Sequence, residues 1–405
     1  MHLMITRYKT DKNGKSVPIA RIYTSKEHNV RNSHIDKDAL WAVRRLQASG
    51  AQAYIVGGAV RDLLLGRTPK DFDIATSASP RQVQRLFWNS RAIGRRFRIV
   101  HIFFGSKIIE VTTFRSDEEN FEEGNNNIFG TIEQDSKRRD FSINALYYNP
   151  VDGHLVDFNN SMADFKKHLI RSLIPLKYSF SEDPVRMIRA IKYMCSTGFR
   201  LKWDVKFAIR KNAPLIATSS VSRLTDEMIK IFNSGYSEKI LYEMNHYRLL
   251  GYIMPCFAQY VNLESVRSSL KELDEKVMHS KEEGESAVSF AQVIFYVVKS
   301  LVIKPSDNLT QDEKSKDIFR QIKILFAPMT PPNYELERAS ELMLIYFGLK
   351  SGKSKARKKI QSANFIKQRR EAKPNRSRRK KSGATIPKVA SDVSEADSAA
   401  LAHDI

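Results

Sequence analysis

Apolar residues in the first 160 positions fall into short runs separated by Gly, Pro and Asn, a pattern typical of alternating strands and helices. Leu40, Val43 and Leu46 follow Asp36 with helical spacing, so we expect a helix that Asp36 caps and that ends at Gly50. The pattern predicts an α/β unit with a small mixed sheet. Its strands are expected at 53–56, 71–75, 98–104, 107–114, 142–148 and 155–158, and its further helices up to Leu65 and at 80–87. Gly105-Ser106 is expected to form a turn between two of these strands, and 117–127 to form an acidic loop.

From about Ser181 onward the apolar residues recur with a helical period. We therefore expect an all-α second part of the chain. The apolar stripes that predict its helices lie at 187–194, 224–232, 240–250, 287–301 and 336–347.

The chain has 405 residues and a formal net charge of +22, which favours a polyanionic partner such as nucleic acid. The segment 353–381 contains fourteen Lys or Arg and one Glu, so it supplies more than half of that charge. It offers too little apolar surface to offset the entropy cost of ordering. Its composition predicts a disordered basic tail that binds nucleic acid through its cations. Those expected to make such contacts, with RNA as one possible partner, are Lys358, Lys359, Arg369, Arg370, Arg378 and Arg379. The alternative is a solvated charge run with no specific partner.

Several classes of protein are disfavoured by the composition. No run of about 18 apolar residues is present, so we expect no membrane span, and residues 1–31 lack the apolar core of a secretory signal. The two cysteines, Cys195 and Cys256, are expected to be buried thiols, and no Cys or His pairs have zinc-ligand spacing. These features predict a cytoplasmic protein.

The chemistry-bearing segment begins with Gly57-Gly58 and Arg61-Asp62 and continues to Asp71-Phe72-Asp73. In a strand, residues i and i+2 share a face, so Asp71 and Asp73 are expected side by side. Adjacent carboxylates repel each other unless a cation lies between them, and Mg²⁺ prefers such oxygen ligands together with substrate phosphates. A Gly-Gly turn before a helix lets backbone N–H groups approach a phosphate.

Each of these features also has an ordinary structural interpretation. Asp-x-Asp is common in surface loops, and a Gly-Gly pair between strand and helix is usually only a turn. Glu110 lies among β-branched residues, where it is either a solvated strand residue or a third metal ligand. Because it accompanies Asp71 and Asp73, we favour the metal ligand.

A second cluster is Arg138-Arg139-Asp140, followed by Asn144. Two arginines suit a bidentate grip on triphosphate oxygens, while Asp140 could orient them and Asn144 could bond a ribose or phosphate. The alternative is an exposed basic turn with an internal salt bridge.

A third cluster contains Asp183, Pro184, Arg186 and Arg189. Asp183 and Pro184 are explained by a helix N-terminus alone, as cap and first helical residue. Asp183 and Arg186, however, are three apart on one helix face and together could read a base edge. The Asp183 carboxylate could accept from an exocyclic amine and the Arg186 guanidinium could donate to a ring nitrogen. Adenine and cytosine both offer this pair of groups.

At these positions the sequence resembles the class II tRNA nucleotidyltransferases and bacterial poly(A) polymerases. The resemblance covers roughly residues 32–258. It is carried by four ordered segments: 54–66 (YIVGGAVRDLLLG), 69–76 (PKDFDIAT), 138–145 (RRDFSINA) and 182–190 (EDPVRMIRA).

The resemblance implies a polymerase-β-like head followed by helical neck, body and tail. On this basis we expect a catalytic head at 36–170, a neck at 171–258 that binds base and RNA, a body at 259–348 and a disordered tail at 349–405. Residues 1–35, nearly all of which precede the resemblance, are expected to be a mobile or loosely docked N-terminal arm.

The same resemblance implies roles for single residues. Asp71 and Asp73 would ligate two Mg²⁺ ions, beside the Glu110 ligand favoured above, and Asp140 would belong to the catalytic site. Asp183 and Arg186 would contact the base. The remaining residues expected to bind the nucleotide are Gly57, Gly58, Arg61, Asp62, Arg138, Arg139, Asn144 and Arg189.

Several segments are more similar to the poly(A) polymerase branch than to the CCA-adding branch, namely 93–101, 127–133, 144–148 and 232–236. The departures are a short loop after Arg115, Lys192 in place of an arginine, and an abbreviated 262–345 region. We therefore expect a monomeric poly(A) polymerase that adds AMP from ATP to RNA 3′ ends and supports mRNA polyadenylation and RNA turnover.

Two alternatives remain open at this point. A CCA- or A-adding tRNA nucleotidyltransferase would use the same active site with a different primer. A non-catalytic RNA-binding protein on the same scaffold is disfavoured, because it would have no physical need for the mutually repelling acids at 71, 73 and 110.

Overall fold

A computed structural model describes residues 5–10, 15–94, 99–116, 129–284 and 287–349. The strands of its first half confirm the expected α/β unit. Ala53–Val56 forms a strand with the predicted bounds, and two strands meet at the predicted Gly105-Ser106 turn. The strands are β1 Ile5–Thr10, β2 Ser16–Tyr23, β3 Ala53–Val56, β4 Asp73–Thr76, β5 Ser90–Ile93, β6 Ile99–Phe104, β7 Lys107–Thr113, β8 Leu146–Asn149, β9 His154–Asp157, β10 Leu169–Ile170 and β11 Arg200–Leu201.

Nine of these strands form one mixed sheet in the order β1-β2-β9-β8-β3-β4-β7-β6-β5. The pairing of β4 with β7 is parallel, and the other pairings in this sheet are antiparallel. A short parallel pair, β10 with β11, lies outside it. The parallel pair β4–β7 therefore lies near the middle of the sheet, beside β3.

From residue 176 onward, the part of the chain that the structure describes is helical apart from the short strand β11, as the apolar pattern predicted. Asp36 caps the first helix by accepting hydrogen bonds from the backbone N–H groups of Asp38 and Ala39. The helices are α1 Lys37–Ala48, α2 Gly58–Leu64, α3 Pro80–Leu86, α4 Ile132–Lys137, α5 Ser161–Lys166, α6 Leu176–Glu182, α7 Val185–Thr197, α8 Trp203–Asn212, α9 Val221–Phe232, α10 Ser237–His246, α11 Leu250–Ile253, α12 Pro255–Ala258, α13 Glu264–Glu282, α14 Phe290–Val298, α15 Gln311–Phe326 and α16 Asn333–Tyr346.

Strand alternation separates two cores on opposite faces of the sheet. Ile55 and Ile74 belong to the core formed with α1, α2 and α3. Tyr54, Val56 and Ala75 point to the other face, which packs against α4. A third core joins the helices from α6 to α16 and also includes Phe141 and Ile143, which lie just before β8.

Some expectations for the first half were wrong in detail. Residues 1–35 were expected to be a mobile or loosely docked arm, but β2 pairs with β9, and Ile22 and Tyr23 are buried. The strand expected at 142–148 begins at Leu146, because residues Ser142–Asn144 form a 3-10 turn. Cys195 is buried as expected, whereas Cys256 is only partly buried.

The sequence pattern also missed elements, among them β1, β2, β5, α8, α13 and α15. The acidic loop expected at 117–127 and the basic tail at 349–405 lie outside the described residues, apart from Leu349. Among the residues that the structure describes, no helix is long and apolar enough to cross a membrane. The boundaries expected between head, neck and body stay predictions.

Candidate active site

The site is built where β3, β4 and β7 lie side by side. Asp73 is the first residue of β4, and its register partners are Val56 in β3 and Glu110 in β7. Register partners share a face, so Asp73 and Glu110 lie next to each other on the face that carries Val56. Asp71 precedes the strand and is exposed, with Phe72 buried between the two acids. The expectation that Asp71 and Asp73 share one strand was therefore wrong, because β4 begins two residues later than predicted.

The environment of Asp73 disfavours its charge. Burial raises the pKa of Asp73 to about 6, and the neighbouring acids Glu110 and Asp71 add to that rise. The arginines Arg139 and Arg189 oppose it without cancelling it. A half-buried carboxylate with two acids nearby gains stability from a bound cation.

The acids fit a magnesium site that is completed by substrate. No group of three or more His, Cys, Asp or Glu side chains in the described ranges is arranged to hold a metal by itself. Glu110 Oε1 lies 3.3 Å from His101 Nε2, its partner across β6 and β7. Mg²⁺ usually takes only one or two carboxylates and fills its remaining positions with water and phosphate oxygens. Asp71 and Asp73 match this donor set, and Glu110 lies beside them.

Gly57, in the turn between β3 and α2, lies beside Asp73 and Arg139. Its backbone has φ 71° and ψ −133°, in the half of conformational space that L side chains rarely adopt. A Cβ at this position would lie 3.5 Å from Asp73 Oδ2 and 3.6 Å from Arg139 Nη1. A glycine here therefore keeps the space between the carboxylate and the guanidinium open.

Arg61 connects this turn to the second motif. Its Nε donates to Asp62 Oδ1 at 2.9 Å, and its Nη1 donates to Asn144 Oδ1 at 3.0 Å. The guanidinium lies 5.1 Å from the ring centre of Tyr193. The Arg61 guanidinium also packs against Gly58, since a Cβ on Gly58 would lie 3.5 Å from Arg61 Nη2.

Arg139 is held by Tyr147 and Asp135, which were not among the predicted site residues. Its Nε donates to the Tyr147 hydroxyl at 2.9 Å and its Nη2 to Asp135 Oδ2 at 3.2 Å. The Tyr147 hydroxyl donates in turn to Asp135 Oδ2 at 2.6 Å. Burial raises the pKa of Tyr147, which keeps this donor protonated. The i, i+4 spacing of Asp135 and Arg139 was a signal for one of these contacts.

Arg138 does not share this environment. Its Nη1 donates to the backbone oxygen of Ser116 at 2.8 Å. The expectation that Arg138 and Arg139 together hold triphosphate oxygens stays a prediction.

Asp140 joins the sheet to helix α7. Its Oδ1 accepts hydrogen bonds from the backbone N–H of Phe141 at 2.8 Å and from Asn144 Nδ2 at 3.4 Å. Its Oδ2 forms an ion pair with Arg189 Nη2 at 2.8 Å. Arg189 also donates to the Tyr193 hydroxyl at 3.1 Å. The second and third sequence motifs are thus brought into direct contact.

Asp183 lies between α6 and α7, and its Oδ1 accepts from the backbone N–H of Val185 at 3.2 Å. The N-cap of α7 is Pro184 and its first helical residue is Val185, so the predicted cap at Asp183 was wrong by one residue. Its Oδ2 pairs with Arg223 Nη2 at 2.7 Å, a contact across forty residues that the sequence did not signal. Arg186 Nε is 4.0 Å from the same oxygen, while its Nη1 donates to Glu182 Oε2 at 2.6 Å.

The expected RNA-binding cations of the tail lie outside the described residues. They are Lys358, Lys359, Arg369, Arg370, Arg378 and Arg379.

Two family models match the chain. The model described as "Poly A polymerase head domain" matches residues 53–171, which contain the acids and both arginines of the second motif. The model described as "Probable RNA and SrmB- binding site of polymerase A" matches residues 198–261.

Curated relatives and solved structures agree with these matches. Poly(A) polymerase I of Escherichia coli O6:H1 is 36% identical over 299 residues, which are 69% of this chain and 64% of the relative. The CCA-adding enzyme of Lactobacillus gasseri is 37% identical over 204 residues, 50% of this chain and 51% of the relative. The chain thus spans less than two thirds of the length of either. The crystal structure of the Bacillus stearothermophilus CCA-adding enzyme in complex with CTP superposes with a TM-score of 0.53 at 25% identity, covering 78% of this chain and 83% of that one.

Proposed function

The chain belongs to the family of bacterial poly(A) polymerases and CCA-adding enzymes, and we propose that it acts as a poly(A) polymerase, adding AMP from ATP to RNA 3′ ends without a template. The observation that carries this proposal is the position of Asp73. It is a half-buried acid beside Glu110 and Asp71, across an open space from the Arg139 guanidinium. Nucleotidyl transfer needs this combination, because negative charge develops on the phosphates and must be neutralised in place.

Asp71 and Asp73 would hold Mg²⁺, with Glu110 as a neighbouring carboxylate. Two Mg²⁺ ions held by these residues would supply activation of the RNA 3′-hydroxyl and charge neutralisation at the departing pyrophosphate. The raised pKa of Asp73 supports this assignment, since cation binding offsets the repulsion that causes it.

Arg139 would bind the triphosphate of the incoming nucleotide. Its Nη1 faces the space beside Gly57, while its Nε and Nη2 are occupied by Tyr147 and Asp135. A guanidinium fixed at two nitrogens loses little further rotamer freedom on binding phosphate. Asp135 and Tyr147 are in this proposal positioning residues for Arg139.

The neighbouring residues of the first two motifs would complete the nucleotide site. Gly57 and Gly58 allow close approach of phosphate to the turn, and the Arg61–Asn144 hydrogen bond fixes the turn against the second motif. Arg138 would bind the triphosphate beside Arg139. Asp62 anchors Arg61, and Asp140 anchors Arg189, so both acids act through an arginine.

The base would be read by Asp183 and Arg186. A carboxylate has about four lone-pair sites, so Asp183 can accept from an exocyclic amine while it keeps Val185 N–H and Arg223. Arg186 would donate to the adjacent ring nitrogen. AMP addition is favoured over CMP addition because the alignment with a poly(A) polymerase extends over 299 residues, against 204 for a CCA-adding enzyme.

CCA addition to tRNA is the second candidate function. It is supported by the structural likeness to a CCA-adding enzyme in complex with CTP and by the suitability of an acid–arginine pair for both adenine and cytosine. It differs in using CTP and in stopping after three nucleotides.

Asp73→Ala tests the chemistry. We expect incorporation to fall at least about a hundredfold, because the loss removes charge stabilisation at the reacting phosphate, while RNA affinity stays unchanged. Asp307→Ala is the matched control, since that acid is 81% exposed and lies in the helical part. Near-normal incorporation by Asp73→Ala would remove Asp73 from the site.

A further inference from the structure

Helix α8 has two opposite faces of different character. Val205, Ala208 and Ile209 are buried in the helical core. The opposite stripe carries Trp203, Lys206, Phe207 and Arg210 at positions i, i+3, i+4 and i+7, and all four are exposed. The helix therefore presents an alternation of aromatic rings and cations, which we call the α8 stripe.

The two rings of the α8 stripe are unusually accessible. Trp203 is 75% exposed and Phe207 is 67% exposed. They lie one helical turn apart, or about 6 Å along the axis. Large aromatic side chains dominate buried cores and interfaces, so a pair left open to solvent on one face indicates a surface that binds something.

The charges around the rings indicate an anionic partner. Asp204 is the one acid of α8, and Lys202 Nζ is 2.7 Å from its Oδ2. Lys206 and Lys211 are exposed. The Arg210 guanidinium lies 5.2 Å from the ring centre of Tyr247, which holds its position.

The neighbouring helix α6 packs against α8 and has the same character. Its Tyr178 is 58% exposed, and Lys177 Nζ lies 5.4 Å from that ring centre. Aromatic rings interleaved with cations are what a protein offers to the bases and phosphates of a single strand.

We propose that the α8 stripe is a stacking platform for the single-stranded RNA primer, with bases on Trp203 and Phe207 and phosphates on Lys206 and Arg210. The proposal rests on the proposed function, because it assigns a binding surface to the RNA substrate. The stripe lies within residues 198–261, the range that matches the RNA-binding family model. A purely apolar partner would leave the cations at i+3 and i+7 without a role, whereas RNA uses both kinds of side chain.

Binding of a labelled single-stranded oligoadenylate to the full chain gives the first test. Trp203→Ala and Phe207→Ala are each expected to weaken affinity by about fivefold to a hundredfold, the range for losing one stacked base. Lys206→Ala should make the salt dependence shallower. Tyr334→Ala is the control, because Tyr334 is 52% exposed on α16 but its stripe carries the two acids Glu337 and Glu341 against the single cation Arg338. We expect it to bind as wild type does.

Tryptophan fluorescence gives the second test and separates stacking from charge attraction. A stacked base should quench the fluorescence of Trp203. Oligoadenylate should therefore lower the emission of wild type by more than the emission of Trp203→Phe. This variant keeps a stacking ring and should keep its affinity for oligoadenylate. An abasic oligonucleotide carries the same phosphates but no bases. It should therefore bind without quenching wild type more than Trp203→Phe. Because the substituted side chains are exposed, the variants should keep the wild-type melting temperature.

The outcomes distinguish this proposal from the proposed function. Wild-type affinity of the Trp203→Ala and Phe207→Ala variants, together with equal quenching of wild type and Trp203→Phe by oligoadenylate, would overturn the platform and leave the stripe as a surface for another protein, even if the enzyme incorporates AMP normally. A chain that shows quenching and weakened variants but no incorporation would support the platform and overturn the proposed function.

Discussion

Arg139, Tyr147 and Asp135 form a closed triangle of hydrogen bonds at the residue scale. Tyr147 is completely buried, and its hydroxyl both accepts from the guanidinium and donates to the carboxylate. Removing one member leaves the other two with unmatched polar atoms, which costs about 1–3 kcal/mol per buried group. The triangle therefore fixes the direction of the guanidinium as well as stabilising the head.

Tyr147→Phe is expected to raise KM for ATP about threefold to tenfold, because Arg139 loses one of its two anchors and binds triphosphate with a larger entropy cost. The measurement is initial rate against ATP concentration. Tyr148→Phe is the matched control: its hydroxyl bonds Asn32 at 2.9 Å, and its ring lies on the opposite face of β8. Both variants should lose stability, but only Tyr147→Phe should change KM. Equal effects on KM would assign Tyr147 a purely structural role.

The sequence predicted the primary residues of the site better than their partners. Asp73, Arg139 and Asp140 stand in local motifs whose spacing carries information. Tyr147 and Arg223 contact them only because the fold brings separate segments together, and no local spacing encodes such a contact. The wrong placement of Asp71 has a similar cause, since β4 starts where its pairing with β3 begins.

Helix α13 shows what the hydrophobic pattern missed at the scale of elements. Its buried residues Val266, Leu270, Leu273 and Val277 have helical spacing, but the intervening positions are mostly charged, so the stripe is thin. The helix is fixed by tertiary contacts. Its Asp274 accepts from the backbone N–H groups of Ser237 at 2.7 Å and Glu238 at 2.9 Å and so caps the N-terminus of α10 from outside.

Asp274→Ala should therefore lower the free energy of unfolding by about 1–2 kcal/mol, the usual value of a helix cap. Thermal or denaturant unfolding followed by circular dichroism measures this loss. Glu275→Ala removes an exposed acid one position away and should be nearly neutral. Equal stability of the two variants would contradict the capping role.

Strands with strong local signals were predicted well, and those defined by distant pairing were not. β3 and the β6–β7 hairpin were found because their apolar runs end at turn residues. β2 was missed because its place in the sheet depends on β9, more than 130 residues later, with residues Arg21–Tyr23 paired to Leu155–Asp157.

Charge is the property that matters most at the scale of the whole molecule. The segment 353–381 carries fourteen cations and one acid, a net +13 of the total +22. A cation run of this density binds RNA through counterion release, whatever the RNA sequence. The α8 stripe would bind RNA largely by stacking bases on its rings. RNA binding by the α8 stripe should therefore depend less on salt concentration than RNA binding by the basic segment.

A chain ending at Gly348 should accordingly bind RNA more weakly at low salt and show a shallower slope of log affinity against log salt concentration. Titrations at several salt concentrations measure both quantities. Full affinity of the shortened chain at every salt concentration would show that the basic segment has no part in RNA binding.

Nucleotide incorporation by the purified protein with Mg²⁺ tests the central claim most directly. ATP or CTP is offered separately, on a generic RNA and on a tRNA that lacks its 3′-terminal CCA. We predict long A-tails on both RNAs with little use of CTP. Addition that stops after C, C and A, on the tRNA alone, would contradict the claim and identify a CCA-adding enzyme.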